Sequence, residues 1–197
     1  MTAAHPPSPV ARDRQDTILD AAFQAFAAYG VRRASMDDIA RGAGMSRSAL
    51  YLHYRNKEDI LRSLTRRFFE TAVADMAAAL AEPEQSAEQA LIAAFRAKDC
   101  GMMEAMLATP HGGELLDASI ATSAEIVEDG IERMVDVLAG WLEKQGIPAE
   151  IGPPAELART IIVALKGLKS AARDVQDYRA GQLRLARVFA RAISRAI

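Results

Sequence analysis

Seventeen residues, Ser35 to Tyr51 (SMDDIARGAGMSRSALY), constrain this chain more than any other stretch of it. Ser35 offers a helix N-cap, and Asp38 three residues on supplies the aspartate form of a capping box. Ile39 and Ala40 would face inward. Gly44 stands where the chain has to turn sharply, a position that favours a residue able to take positive φ. Ser46 can cap a second short helix running to about His53 or Tyr54. Two short helices joined by a tight glycine turn form a unit suited to pushing one helix end into the major groove of DNA. Tyr51, His53 and Lys57 follow as hydrogen-bond donors.

The flanking sequence reads as helix throughout. Ile18, Ala22 and Phe26 lie four apart, with Leu19 and Phe23 beside them, so a helix from about Asp13 has one apolar face and stops at Gly30. Asn56 caps a long helix that carries Ile60, Leu61, Leu64, Phe68 and Met76 and ends near Glu82-Pro83. Short helices follow over Ala87–Lys98 and Met102–Ala108. From about Gly113 to Gln145 an apolar stripe predicts one long helix, with a possible kink at Gly130. Two final helices are expected over Pro154–Asp177 and Ala180–Ala196. The expectation is an all-α chain of about nine helices with no strand. A disordered tail occupies 1–11, a three-helix DNA-binding domain 12–56, and a helical effector-binding and dimerisation domain 57–197.

Charge is distributed unevenly. Residues 12–67 carry eleven Lys/Arg against seven Asp/Glu, net +4, while residues 68–197 carry thirteen against nineteen, net −6. A basic N-terminal unit on an acidic body suits a protein that meets phosphate with one end. The single cysteine, Cys100, excludes an internal disulfide framework. No apolar run approaches the roughly 20 residues of a membrane span. The first residues contain prolines where a signal peptide needs an apolar core. A cytoplasmic protein is expected. There is no metal-ligand pattern, phosphate loop or nucleophile motif, so no enzyme, metal or cofactor is expected.

Residues 18–61 resemble the N-terminal domain of the TetR family of transcriptional regulators. The resemblance is carried by Ile18-Leu19-Asp20-Ala21-Ala22, Phe26, Gly30, Ile39-Ala40, Ala43-Gly44-Met45-Ser46, Leu50-Tyr51 and His53-Tyr54-Arg55-Asn56-Lys57-Glu58. Arg47, Ser48 and Ala49 open the recognition helix. There Arg47 can pair bidentately with guanine, Ala49 can touch a thymine methyl, and small Ser48 permits close approach. A phosphate contact is the alternative for Arg47. The resemblance implies that Tyr51, His53 and Lys57 contact phosphates, and that Ser35, besides capping, does so too. For Tyr51 the alternative is packing on the first helix, and for His53 capping of carbonyls. A cation at the N-terminus of a helix, as at Lys57, calls for a partner. Leu52 and Tyr54 depart from the family's commoner residues.

The resemblance further implies a homodimer on a palindromic operator, built from the last two helices, with Ile161, Leu165, Leu168, Leu185 and Phe189 as interface candidates or as core. It also implies a small-molecule effector pocket. Phe69, Phe95, Met102, Met103, Met106 and His111 are candidate lining residues, with ordinary core or capping as the alternative. The function implied is a repressor released by its effector. An effector-independent DNA-binding protein, or an activator, is the alternative.

Overall fold

The computed structural model describes residues 9–99 and 109–194, and among them every regular element is a helix. In chain order these are α1 (Pro9–Tyr29), α2 (Met36–Gly42), α3 (Arg47–Tyr51), α4 (Lys57–Ala81) and α5 (Ala87–Ala97). Then come α6 (Gly112–Thr122), α7 (Ala124–Gln145), α8 (Pro154–Ala171) and α9 (Val175–Ser194), with a short 3-10 turn at Ala149–Ile151. The all-helical expectation holds. The helix expected over Met102–Ala108, with Met102, Met103 and Met106, lies outside the described residues, as do residues 1–8 of the expected tail.

Three boundaries differ from expectation. The first helix begins at Pro9 rather than near Asp13, so residues 9–11 are helical and not tail. Proline is well placed at the first helical position, where its missing N–H has no partner to lose. The single helix expected over 113–145 is two helices, separated at Ser123 with φ −136° and ψ 34°. The expected weak point, Gly130, instead lies within continuous helix. Thr122 and Ser123 are weak helix formers, and Ser123 is buried at the break. Last, α8 ends at Ala171, because Asp174 caps the next helix by accepting from the Asp177 N–H at 2.8 Å.

The helices group into two compact units. One comprises residues up to Thr65 together with 109–124; the other comprises 66–108 and 125 onward. The N-terminal unit therefore reaches beyond the expected limit at 56 and takes in α6. Its core is Ile18, Ala22, Phe26, Ile39, Leu50, Ile60 and Leu61, all under 3% exposed. The second unit packs Met76, Leu91, Phe95, Leu138, Leu142, Ile161 and Leu165 around a common core drawn from α4, α5, α7, α8 and α9. Gly130 serves that core by its lack of a side chain, since a Cβ there would overlap the Phe69 ring.

Alongside this apolar core lies a buried polar network. The Lys98 ammonium donates to Asp99 Oδ1 at 2.6 Å and to the Tyr178 hydroxyl at 3.0 Å. Gln182 Nε2 donates to Asp99 Oδ2 at 2.9 Å and to the Phe95 carbonyl at 2.7 Å. The network thus joins the end of α5 to α9. Burial works against the Lys98 charge, but Asp99 and Tyr178 outweigh it and hold its pKa above the usual lysine value. Lys169 has the opposite balance. Burial, with the Lys98 and Lys166 charges, pushes it down to about 8.

A lysine whose pKa is lower folded than unfolded keeps its proton longer in the unfolded chain. Stability then rises with pH between the two values. The second unit is therefore expected to gain roughly 1–3 kcal/mol between about pH 8 and pH 10 from Lys169 alone. Urea unfolding of wild type and Lys169→Met across that range isolates the contribution. Parallel curves for the two proteins would refute it.

Candidate nucleic-acid interface

The helix pair α2–α3 is assembled by local rules. Ser35 accepts from the Asp38 N–H at 3.2 Å, and the Asp38 carboxylate accepts from the Ser35 N–H at 3.0 Å, closing the capping box. The Ser35 hydroxyl, which also donates to the Asp38 carboxylate, and the Ser35 N–H hold the Asp38 carboxyl below its usual pKa. At the other end of α2, Gly44 takes φ +64°. Its N–H donates to the Arg41 carbonyl at 3.1 Å and that of Met45 to the Ala40 carbonyl at 3.0 Å. That pair of bonds is a Schellman motif, in which the left-handed residue is glycine for want of a Cβ. Ser46 then caps α3 through the Ala49 N–H at 3.1 Å. Leu50, 0% exposed, anchors α3 to the core.

With Leu50 facing inward, α3 turns its first residues outward. Ser46, Arg47 and Ser48 are exposed and Ala49 is half-buried. Tyr51 is 42% exposed and Leu52 86% exposed, the latter the most exposed large apolar side chain described. His53 is half-buried at the exit of α3. Arg47 lies across this surface. Its Nη1 donates to Asp37 Oδ2 at 2.9 Å, its Nη2 to the Tyr51 hydroxyl at 3.4 Å, and its Cζ sits 5.5 Å from the centre of the Tyr51 ring. Tyr51 and Asp37 together raise the Arg47 pKa, so the guanidinium is fully charged.

Comparison with known proteins places this arrangement. The family described as bacterial regulatory proteins, tetR family, matches residues 18–64. Over those residues the chain is similar to tetR-family regulators. An uncharacterised HTH-type transcriptional regulator of Pseudomonas putida is 41% identical over 54 residues, 27% of this chain and 40% of that protein. The match thus spans less than half of that relative. An HTH-type transcriptional repressor of Mycobacterium tuberculosis is 28% identical over 174 residues, 88% of this chain and 75% of that one. In fold, a crystal structure from Mesorhizobium loti assigned to the same family superposes with a TM-score of 0.70 at 22% identity, covering 95% of this chain and 97% of the other.

Against the tetR-family expectations, the structure gathers Ser35, Ser46, Arg47, Ser48, Ala49, Tyr51 and His53 about the helix pair, and gives Lys57 different neighbours. The Lys57 ammonium donates to the carbonyls of Val31 at 2.8 Å, Arg32 at 3.0 Å and Ala34 at 2.6 Å. All three of its protons are spent on the turn between α1 and α2. Glu114 of α6 holds the same turn from its other polarity, accepting from the Arg32 N–H at 3.0 Å. Two exposed residues of this surface have no role that the sequence alone assigns. Leu52 stands in the sequence only as a departure from the family's commoner residue, and its exposure is visible only in the fold. Asp37 was not singled out, and the signal for it was the acidic residue beside the capping Asp38.

The remaining candidates disperse. Phe69 lines an open cleft of about 280 Å³ in the second unit, beside Ile126 and the charged Arg66, Glu70, Asp129 and Arg133. Phe95 is wholly buried in the core of that unit. His111 belongs to the N-terminal unit, its Nδ1 3.5 Å from Glu114 Oε2. Among the interface candidates, Ile161 and Leu165 are 0% and 1% exposed and are inward-facing core. They have no surface left to offer a partner. Leu168, Leu185 and Phe189 pack half-buried against the same core. The exposed large apolar side chains described on α8 and α9 are Val163 and Val188, at 62% and 64%. Among the described residues no helix is long and apolar enough to cross a membrane.

Proposed function

We propose that this chain is a sequence-specific, homodimeric DNA-binding transcriptional regulator, acting as a repressor that a small-molecule effector releases. The observation that carries the DNA-binding reading is the outward face of α3. A helix capped by Ser46 and fixed by Leu50 presents Arg47, Ser48 and Ala49 at its N-terminal end, where side chains reach base edges. Arg47 reads guanine, Ala49 and Leu52 meet thymine methyls, and Ser35, Tyr51 and His53 contact phosphate. Lys57 supports the site by fixing the turn behind it. The mycobacterial relative's name as a repressor supports the direction of regulation.

A five-residue helix reads few base pairs, so two copies are expected on half-sites about 34–36 Å apart. Val163 and Val188, with the half-buried Leu168, Leu185 and Phe189, are the apolar residues that α8 and α9 offer a second copy. The cleft at Phe69 is the proposed effector seat.

Selection of bound duplexes from a random pool tests the core of the reading, and a palindromic consensus is the expected result. Recovery of no consensus would reject it. Effector action is tested by thermal-shift screening: a compound that raises the melting temperature should also weaken operator binding. Arg47→Ala is expected to weaken operator binding by about 1–3 kcal/mol and to relax discrimination at one base pair. Equal losses on operator and random DNA would remove Arg47 from base reading.

A further inference from the structure

We propose that Asp37 sets the selectivity of Arg47 by holding its guanidinium in a base-reading orientation. This rests on the reading above, in which Arg47 faces the bases. Asp37 and Arg47 are ten residues apart on different helices, and their side chains are 48% and 60% exposed. An ion pair so exposed contributes little to stability. Nor does α2 need Asp37 as its cap, since the capping box is made by Ser35 and Asp38. The pair's consequence is geometric. One guanidinium nitrogen is tied to the Asp37 carboxylate, the other reaches the Tyr51 hydroxyl, and the group lies against the Tyr51 ring.

Recognition of guanine needs two N–H groups directed together at O6 and N7, and a guanidinium has five N–H donors. Tying one donor to Asp37 restricts the swing of the side chain while leaving others for a base. On non-cognate DNA the competing partner is a phosphate. An Arg47 that swings to phosphate abandons Asp37, leaving an uncompensated carboxylate facing a polyanion. Asp37 thus penalises the phosphate-bound arrangement more than the guanine-bound one.

The test uses the full chain and Asp37→Asn, which keeps the shape and removes the charge. Affinities are measured at one salt concentration for the selected operator, for that operator changed at the Arg47-dependent base pair, and for random duplex. The ratio of operator to random affinity is expected to fall about three- to five-fold, with the melting temperature unchanged. In an Arg47→Ala background the same substitution should leave the ratio where it was. An unchanged ratio in the single variant overturns the proposal, as does an equal change that persists without Arg47. Should the wild-type chain select no sequence at all, the DNA-binding reading itself fails, and that outcome is visible before any variant is made.

Discussion

Asp99→Ala is expected to destabilise the second unit by about 3–5 kcal/mol, because it removes one partner of a buried ion pair and leaves the other. The side chains of Lys98 and Asp99 are 12% and 9% exposed, and they meet at 2.6 Å. The Asp99 carboxylate also receives Gln182 Nε2 at 2.9 Å, so alanine strands an amide donor as well as an ammonium. At roughly 2–4 °C per kcal/mol for a chain of this length, the midpoint should fall by about 6–20 °C. The double substitution Lys98→Met with Asp99→Leu separates charge from packing. It removes both charges at once and should recover much of the loss, since apolar replacement of a whole buried pair is often near neutral. Thermal and urea unfolding of the two variants decides the matter. A single variant that loses less than about 1 kcal/mol would mean that the network carries little of the fold.

Nothing in the sequence announces that network. Lys98 and Asp99 end a short amphipathic helix, where charged residues ordinarily meet solvent, and Tyr178 and Gln182 lie some eighty residues on. Only the packing of α5 against α9 brings them together. The same division runs through the rest of the molecule. Ser35, Gly44 and Ser46 act through bonds to residues within a few positions of themselves, so their capping and turning roles are legible from spacing alone. Gly130 was legible as an anomaly but not as to its cause. Its use is to admit Phe69 from α4, a contact that no periodicity encodes. Periodicity also carried the long stripe through Ser123, because an apolar face continues across a break whose origin is local backbone preference. Ile161 and Leu165 show the limit for surfaces. Spacing places them on the apolar face of α8, but whether that face meets its own core or a second copy depends on what else packs there.

Lys57 is where the two kinds of reasoning meet, and its replacement gives the other large effect. A cation in the first turn of α4 is locally unfavourable, which implied a partner. The partner here is the turn at 31–34, whose three carbonyls take the whole ammonium. Lys57→Met keeps the aliphatic stem and removes the donors. The Val31 and Ala34 acceptors are partly buried, so their loss of partners should cost about 2–4 kcal/mol in all. The N-terminal unit should then unfold at a lower temperature. The dependence of operator affinity on salt separates this role from a phosphate clamp. A lysine bound to phosphate displaces counterions, and removing it would shallow the slope of log affinity against log salt by about 0.9. A lysine already committed to three carbonyls displaces none, so the slope should stay as it is while the melting temperature drops. A shallower slope with undiminished stability would restore Lys57 to the phosphate contacts and leave the turn at 31–34 held from α6 by Glu114.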